Sequence, residues 1–339
     1  MTSQKQRKMR ESAEAYGYLA PALIVLLVFW FLPVVISFLM SFSNLTALKP
    51  IGDAEFVGLN QYILALKSRN FQQTLWNTVN YALYSVPMTL ALALSAALLL
   101  NSKIRARGFF RTVFFLPYIT TWVAISLVFL YLFHREYGVL NWVLKVVSQN
   151  LFGLQHAWRL EWLQEPRGIW EMALINPLGG HVPELPFGAQ SMLKGPSLSL
   201  FCIILTSVWR DTGYYMVIFL AGLQNIDKSL YEAASIDGAN AWQRFRAITF
   251  PLLSPVTYFL LVISMINGFK VFVPQFMMTP TGGPDLTTMP ITGYLYEQGF
   301  TGEWKLSYAS AVAYILTIII LSLTLIQTRL FGRRVEYGQ

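Results

Sequence analysis

The chain has 339 residues, of which 55% are hydrophobic and only 12% are charged. Soluble domains usually carry about a quarter charged residues, so this composition excludes an ordinary soluble protein and indicates a lipid environment. The net charge of +8 would suit a nucleic-acid-binding protein only if the basic residues formed one face. Because Lys and Arg instead occur in short clusters between apolar runs, we expect no nucleic-acid partner.

Apolar runs of roughly 20 residues recur along the chain, and a helix needs about that length to cross the hydrocarbon core. We therefore predict an all-α, polytopic membrane protein with about six transmembrane helices. In chain order they cover residues 17–42, 77–100, 113–133, 198–223, 256–274 and 307–331. The first run is long and lacks a small-residue cleavage site, which predicts a retained helix. Prolines in or near these helices are expected to kink them without breaking them, namely Pro21, Pro33, Pro87 and Pro117.

Basic residues predict which connecting segments face the cytoplasm, because short cytoplasmic loops are enriched in Lys and Arg. The short loop after the second predicted helix carries Lys103, Arg105, Arg107 and Arg111. The N-terminal tail, the segment between the fourth and fifth helices and the C-terminal tail are also basic, whereas the opposite loops are longer and more dilute. We expect a transmembrane domain at 17–331, with cytoplasmic tails at 1–16 and 332–339.

The segment 134–196, expected on the outer side, is too polar and too rich in Pro and Gly to cross the membrane. It nevertheless carries four tryptophans, Trp142, Trp158, Trp162 and Trp170. Tryptophan prefers the membrane interface, so short helices along the outer surface are one interpretation, and a small folded cap is the other. Because no internal repeat links the two halves of the chain, a pseudo-symmetric partner must be another polypeptide or a second copy.

The segment between the fourth and fifth predicted helices, residues 224–255, has too regular a pattern for a linker. Residues 231–239 read Tyr-Glu-Ala-Ala-Ser-Ile-Asp-Gly-Ala, in which Glu and Ala favour a helix and Asp-Gly favours its end. A second helical piece is predicted from Ala241 to near Pro251, with apolar residues at three-to-four spacing. Two short cytoplasmic helices with small alanines are suited to dock into a groove on a cytosolic partner, although a structured loop is the simpler interpretation.

The spacing in this segment resembles the signature loop of bacterial ABC-importer permeases. Glu-Ala-Ala at 232–234 is followed by three residues, Gly238, nine residues and Ile-Thr-Phe-Pro at 248–251, where the family pattern is Ile-x-Leu-Pro. Phe250 therefore stands where leucine is usual. Four more stretches resemble the sugar-type branch, which includes the maltose and glycerol-phosphate permeases: Arg-Thr-Val-Phe-Phe-Leu-Pro at 111–117, Tyr-Gly-Val-Leu-Asn at 137–141, Phe-Leu-Ala-Gly-Leu-Gln at 219–224 and Thr-Gly-Gly-Pro-Asp at 281–285. The resemblance covers roughly residues 77–331 and is weaker at 152–196.

In that family, two permease subunits enclose the path, two cytosolic ATPase subunits hydrolyse ATP, and an extracytoplasmic solute-binding protein delivers the solute. The resemblance implies a permease subunit in the inner membrane of a bacterium or archaeon that moves a sugar or sugar-like solute by alternating access. The chain contains no Gly-Lys dipeptide, so it lacks the phosphate-binding loop that needs Gly-Lys-Ser/Thr. We therefore expect no enzyme activity and no cofactor in this chain, with ATP and Mg held by the partner ATPase.

The resemblance also assigns residues to roles. Coupling to the ATPase is expected at Glu232, Ala233, Ala234, Asp237, Gly238, Ala239, Phe245, Ile248 and Pro251. Sugars are bound by polar groups matched to their hydroxyls and by aromatic faces. The polar and aromatic candidates for the solute path are Trp209, Arg210, Asp211, Tyr214, Tyr215, Ser264, Asn267 and Gly268. As neighbours in sequence, Arg210 and Asp211 need not pair, and both a bond to the partner permease and a direct solute contact remain open.

Two other classes of protein fit less well. A proton-coupled carrier or channel needs symmetric halves and buried acids, whereas Asp211 is nearly alone among intramembrane carboxylates. A membrane-bound enzyme needs a nucleophile or metal cluster. The three histidines, His134, His156 and His181, lack ligand spacing, and Cys202 is the single cysteine, so no metal site is expected. An ABC permease for a non-sugar solute, such as a phosphorylated polyol, stays open as an alternative.

Overall fold

The computed structural model describes residues 2–47, 50, 54–102, 105–150, 160–175, 193–302 and 304–331. Among these residues there is no β-strand, only two isolated bridges, Ser43 with Phe56 and Gly168 with Ser197. The predicted all-α fold is therefore confirmed. The α-helices are α1 Thr2–Leu26, α2 Leu32–Met40, α3 Asn60–Lys67, α4 Arg69–Asn101, α5 Arg107–Ile119, α6 Trp122–Leu132, α7 Val139–Asn150, α8 Leu198–Gln224, α9 Lys228–Ile236, α10 Ala241–Arg244, α11 Phe250–Leu252, α12 Ser254–Phe269, α13 Val273–Met278, α14 Ile291–Tyr296 and α15 Leu306–Phe331. Shorter turns are π-helical at Leu27–Phe31, Glu171–Ile175, Phe245–Thr249 and Glu297–Thr301, and 3-10 helical at Pro284–Leu286.

The chain divides into two compact units. The smaller unit consists of Met1–Lys67 and Leu295–Ile315, and the larger unit consists of Ser68–Tyr294 and Leu316–Gln339. Every residue predicted for coupling or for the solute path belongs to the larger unit. The candidate site is therefore built within one unit.

The smaller unit is held together by a few hydrogen bonds around Ser307. Its hydroxyl lies 2.9 Å from that of Ser43 and accepts a bond of 2.8 Å from the Leu45 N–H. Most apolar side chains of the helical stretch Glu14–Met40 are exposed in this chain, and Phe29, in its π-helical turn, is 74% exposed. A long apolar helix that its own chain leaves largely uncovered is the surface expected in lipid. The helix begins at Thr2, so the predicted tail at 1–16 is largely helical.

Membrane spans can be counted from helix length and composition among the described residues. Four helical stretches are long and apolar enough, Glu14–Met40, Arg69–Asn101, Ser254–Met278 and Leu306–Leu330, and the bent pair α5 and α6 raises the count to as many as five. Helix α8 has 27 residues but is not among them, because Arg210, Asp211 and the polar residues around them interrupt its apolar sequence. The count of six spans stays a prediction.

The prediction of one continuous third helix at residues 113–133 is wrong. Helices α5 and α6 are bent by 96° relative to each other. The bend lies at Thr120 and Thr121, whose ψ angles of 141° and 144° are extended. The side chain of Thr121 accepts a bond of 3.4 Å from the Ala124 N–H and so begins a new helix. Pro117 remains inside α5, so the threonines, rather than the proline, mark the break.

The predicted fifth helix, residues 256–274, is also interrupted. Helix α12 ends at Phe269 and α13 begins at Val273, and between them Phe272 has φ −145° and ψ −61°. Pro274 follows in the first turn of α13, where a missing N–H costs no helical hydrogen bond. Irregular backbone within an apolar span is tolerated where it is enclosed by protein or lines a cavity.

Helix α8 forms the centre of the larger unit. Small residues of α4, including Ala93 and Ala97, pack against Met216 and Phe219 of α8, and all four side chains are fully buried. Alanines allow the axes of two helices to approach closely, which strengthens van der Waals packing where lipid removes the hydrophobic driving force. Helix α5 packs on α8, and α12 packs on α4. This packing brings the polar middle of α8 close to three other helices.

Within the segment 134–196, Asn141 joins α7 to the chain that follows. Its Nδ2 donates to the carbonyls of Arg135 and Leu160 at 2.8 and 2.9 Å. Its Oδ1 accepts from the Leu160 N–H at 3.1 Å and from the Trp162 indole at 3.0 Å. Trp142, by contrast, is 63% exposed, as expected for an interface residue. Helix α7 is a short helix in this segment, and both interpretations, helices along the outer surface and a small folded cap, stay predictions; Trp158 lies outside the described residues.

Replacing Asn141 with leucine is expected to loosen this segment. The change leaves two N–H donors and two carbonyls without their partner, and each unsatisfied buried group costs about 1–3 kcal/mol. Limited proteolysis of the purified protein should cut residues 160–167 at least about tenfold faster than in the unchanged chain. Asn150→Leu, an exposed position on the same helix, is the control. Equal cleavage of both variants would contradict the role given to Asn141.

Candidate functional site

A cavity of about 390 Å³ lies in the larger unit beside the break between α12 and α13, and we call it the central cavity. Its walls come from α4, α5, α6, α8 and α12. The cavity is lined by seven of the eight residues predicted for the solute path, namely Arg210, Asp211, Tyr214, Tyr215, Ser264, Asn267 and Gly268. These seven residues therefore lie together, and their role in a solute path stays a prediction.

Trp209 is the predicted solute-path residue that does not line the central cavity. Its side chain is 51% exposed, and its ring lies 5.4 Å from that of Phe129. Consecutive residues of a helix point about 100° apart, so Trp209 lies on another face of α8 than the residues that line the cavity. Its place in the solute path is not supported by this geometry.

Arg210 and Asp211 form an ion pair, although neighbours in a helix do not share a face. Arg210 Nη1 lies 2.7 Å from Asp211 Oδ1, because the long arginine side chain can reach back across the helix surface. Its Nη2 donates to the Tyr118 carbonyl at 3.0 Å. The guanidinium also lies 4.2 Å from the centre of the Trp122 ring, a cation–π distance. Both charges therefore have partners within this chain.

The remaining lining consists mainly of aromatic faces and uncharged polar groups, with Lys270 as its one further charged residue. The rings of Tyr118 and Tyr214 stack at 4.5 Å with an angle of 16°. Tyr215 is hydrogen-bonded to the side chain of Asn267. Aromatic faces beside hydroxyl and amide groups match a sugar ring, whose faces are apolar and whose edge carries hydroxyls. The volume also falls in the usual range for small-ligand sites.

Gly268 serves packing between helices. A Cβ added at this position would lie 3.2 Å from the Cβ of Ala82 on α4, which is closer than most carbon contacts. The missing side chain therefore lets α12 approach α4. The hydroxyl of Ser264 one turn away donates to the carbonyl of Leu261, at 3.1 Å.

Several lining residues were missed by sequence reasoning. Tyr81, Ser85 and Thr89 of α4 face the central cavity at intervals of four residues. A polar stripe at helical spacing within an apolar span was a usable signal for them. Tyr118 and Trp122 flank the break between α5 and α6, and that break was not predicted from the sequence.

The segment between α8 and α12 begins with α9, close to where the sequence predicts a helix. The Asp227 side chain accepts a bond of 2.9 Å from the Ser229 N–H and caps the helix. This backbone hydrogen bond holds the pKa of the Asp227 carboxyl below its usual range. The helix ends at Ile236, and Gly238, which follows the C-cap Asp237, has a φ of +77°. The Gly238 and Ala239 N–H groups reach back to the carbonyls of Ser235 and Ala234 at 3.2 and 2.9 Å, which is a Schellman motif.

The second half of this segment starts with a capping box formed by Asn240 and Gln243. It continues through α10, the π-helical turn Phe245–Thr249, which contains Ile248, and α11, which contains Pro251. The Tyr231 and Thr249 hydroxyls lie 2.9 Å apart, so the two halves are joined. Of the predicted coupling residues, Glu232, Ala233, Asp237 and Gly238 are exposed, and Ala234, Ala239, Phe245, Ile248 and Pro251 are partly exposed.

The same segment exposes apolar side chains. Ile236 is 87% exposed and Trp242 is 66% exposed. Apolar side chains on a segment that folds back on itself form a surface suited to a protein partner. Elsewhere in the described part of the chain, no group of three or more His, Cys, Asp or Glu side chains is arranged to hold a metal. His156 and His181 lie outside that part.

A sequence profile of the family described as "binding-protein-dependent transport system inner membrane component" matches residues 89–337. The arabinooligosaccharides transport system permease protein AraP of Bacillus subtilis is 31% identical, over 95% of this chain and 90% of that protein. The lactose transport system permease protein LacF of Rhizobium radiobacter is 31% identical, over 96% of both chains. The trehalose/maltose transport system permease protein MalF of Thermococcus litoralis is 29% identical, over 94% of both chains.

Among solved structures, a chain of a bacterial ABC transporter that imports the acidic polysaccharide alginate superposes with a TM-score of 0.71. The superposition covers 98% of this chain and 100% of that chain at 20% sequence identity. The likeness establishes a common fold.

Proposed function

The chain belongs to the family of binding-protein-dependent transport system inner membrane components, and from this premise we propose that it is the transmembrane permease subunit of an ATP-driven importer for a sugar or sugar-like solute. The observation that carries the proposal is the central cavity, in which stacked tyrosines, an amide and a neutralised ion pair surround a space of about 390 Å³. Permeases named for arabinooligosaccharides, lactose and trehalose/maltose are similar over almost the whole chain.

The proposed assembly contains a second permease subunit, two cytosolic ATPase subunits that hold ATP and Mg, and an extracytoplasmic solute-binding protein. Helix α5 packs on α8 on one side but has no buried residue. Much of its apolar surface is therefore exposed in this chain. A second permease subunit and lipid are the expected occupants of that surface. The similar alginate transporter has been solved in complex with a periplasmic protein that carries alginate pentasaccharide. The distribution of basic residues supports a cytoplasmic location for both termini in the proposed assembly.

The α9–α11 segment is proposed to transmit ATP-driven movement to the cavity. It is connected to α12 through Leu253, which is buried in the core shared by α4 and α8. Helix α12 carries Ser264 and Asn267 into the central cavity. A rigid segment that is pulled by an ATPase therefore moves a cavity wall, which is the requirement for alternating access.

Uptake by the reconstituted assembly tests this function. Vesicles that contain the permeases, the ATPase and the solute-binding protein should accumulate a labelled saccharide from a panel of lactose, trehalose, maltose and arabinobiose only when ATP is present. Asn267→Ala should lower uptake by about fivefold or more, because one lost hydrogen bond to the solute is worth about 1 kcal/mol or more.

Trp209→Leu is the matched control, since Trp209 lies outside the cavity and its change should leave uptake near the unchanged value. Full uptake by Asn267→Ala would contradict the proposal that the solute passes through the central cavity. Uptake that follows a proton gradient in the absence of ATP would instead support the secondary-carrier alternative.

A further inference from the structure

A second cavity, of about 560 Å³, lies in the larger unit at the N-terminal ends of α4 and α8. One wall is formed by four side-chain amides of α4, those of Asn70, Gln73, Asn77 and Asn80. The start of α8 and the loop at 285–287 form the opposite side. We call this space the amide cavity, and none of the residues predicted for the solute path lines it.

The four amides follow one another at intervals of three, four and three residues. At 3.6 residues per turn this spacing puts them on one face of α4, over roughly 15 Å of its length. Polar side chains in an apolar span cost free energy unless they bind a partner. Asn77 has such a partner, because its Nδ2 donates to the carbonyls of Leu286 and Met289 at 2.6 and 2.9 Å. Asn77 thereby fixes the loop that closes the cavity.

Asn70 and Gln73 are different, because neither side chain makes a hydrogen bond to another described residue. Gln73 is half-buried in the wall, and Asn70 is at the exposed end. An amide offers two donors and a carbonyl acceptor, and a sugar hydroxyl can both donate and accept. Two unoccupied amides one turn apart therefore present the complementary groups for neighbouring hydroxyls of a saccharide.

The charges around the amide cavity favour an uncharged ligand. Arg69 and Asp285 line it with opposite formal charges. The third charged lining residue, Lys194, lies 4.0 Å from the Glu171 carboxylate, so the formal charges in and beside the cavity balance. An anionic ligand would meet no net positive charge here, so hydroxyl recognition has to supply the affinity.

The amide cavity and the central cavity are neighbours along the same helices. Asn80 lines the first and Tyr81 lines the second. On α8, Leu200 lines the amide cavity and Ser207 lines the central cavity. The two residues are seven positions, or roughly 10 Å, apart along the helix. We propose that the amide cavity is a loading subsite, which holds an uncharged saccharide before it enters the central cavity. This inference rests on the proposed function and adds a binding step to it.

Cysteine protection tests the loading subsite in the complete assembly in vesicles. The native Cys202 is fully buried, so a cysteine introduced by Gln73→Cys can be labelled selectively with a membrane-impermeant maleimide. Lactose, trehalose or maltose, at roughly ten times the concentration of half-protection, should slow this labelling about tenfold. Trp142→Cys, an exposed position on α7 outside both cavities, should be labelled at an unchanged rate. Glycine betaine, a polar solute without hydroxyls, should protect neither cysteine.

Ser85→Cys, in the central cavity, separates this inference from the proposed function. Saccharide protection of Ser85→Cys but not of Gln73→Cys would overturn the loading subsite and leave the proposed function intact. Protection of neither cysteine by any saccharide in the panel would count against both. Protection of Gln73→Cys by glycine betaine, or by the ligand-free solute-binding protein alone, would overturn the assignment to a saccharide. Asn70→Cys, at the exposed end of the same wall, should repeat the Gln73→Cys result.

Discussion

Replacing Gly238 with valine is expected to abolish solute uptake while the assembly stays in the membrane and its ATPase stops responding to the solute-binding protein. Gly238 has a φ of +77°, and the Schellman motif that ends α9 depends on this conformation. A β-branched residue in the left-handed region costs about 1–3 kcal/mol, so valine favours a different path of the chain. That path would displace Asp237 and Ala239 on the proposed ATPase-facing surface.

Gly238→Asn is the matched control for this prediction. Asparagine adopts the left-handed conformation far more readily than valine, and among the described residues nothing lies within 4 Å of a Cβ at position 238. The asparagine variant should therefore keep most of its uptake, measured in the same vesicles. Undiminished uptake by Gly238→Val would show that the shape of this turn does not matter for coupling.

The ends of helices were predictable where an apolar run meets polar residues. The fourth and sixth predicted helices, 198–223 and 307–331, differ from α8 and α15 by one residue at one end. The breaks were not predicted in the same way, because each interrupts an apolar run only briefly, with two threonines at Thr120–Thr121 and a single lysine, Lys270, at residues 270–272. Hydropathy indicates whether a segment lies in lipid or in water. The direction of the backbone depends on tertiary packing, about which hydropathy carries no information.

The candidate site shows the same limit. Polar residues of α8 and α12 were found because they stand out in apolar sequence. The four amides of α4 that line the amide cavity were not recognised as one face of a helix. The predicted second helix began at Asn77, whereas α4 begins at Arg69. Asn70 and Gln73 were therefore assigned to a loop, and their register with Asn77 was lost. Contributions from α5 and α6 depended on long-range packing that a single sequence does not show.

The pairing of Arg210 with Asp211 illustrates why local geometry can override a rule of helix faces. The rule concerns side chains of similar reach, whereas arginine is long enough to bend back to its neighbour. Two further contacts hold it there, the Tyr118 carbonyl and the Trp122 ring. Both come from the bent pair α5 and α6, so the bend that the sequence did not reveal also fixes this ion pair.

Gly213→Ala is expected to destabilise the protein severely, because α5 and α8 cross in direct contact at this glycine. A Cβ added to Gly213 would lie 2.6 Å from the carbonyl carbon of Phe114 and 3.1 Å from the Cα of Phe115. Both neighbours are backbone atoms, which cannot rotate away, so the two helices would have to separate. Overpacking of this kind costs about 1–3 kcal/mol, and more where the backbone itself must move.

Separation of these helices would also disturb the central cavity. The bond from Arg210 to the Tyr118 carbonyl and the stacking of Tyr118 on Tyr214 both join α5 to α8. Thermal unfolding of the purified protein in detergent, followed by tryptophan fluorescence, should show a lower Tm for Gly213→Ala or no folded protein. Gly108→Ala is the control, because no atom of the part of the chain that the structure describes lies within 4 Å of its added Cβ, and alanine favours a helix over glycine by about 1 kcal/mol. If both variants unfold at the same temperature, α5 and α8 do not need the close contact at Gly213. Gly213 would then not fix the wall of the central cavity that these helices form.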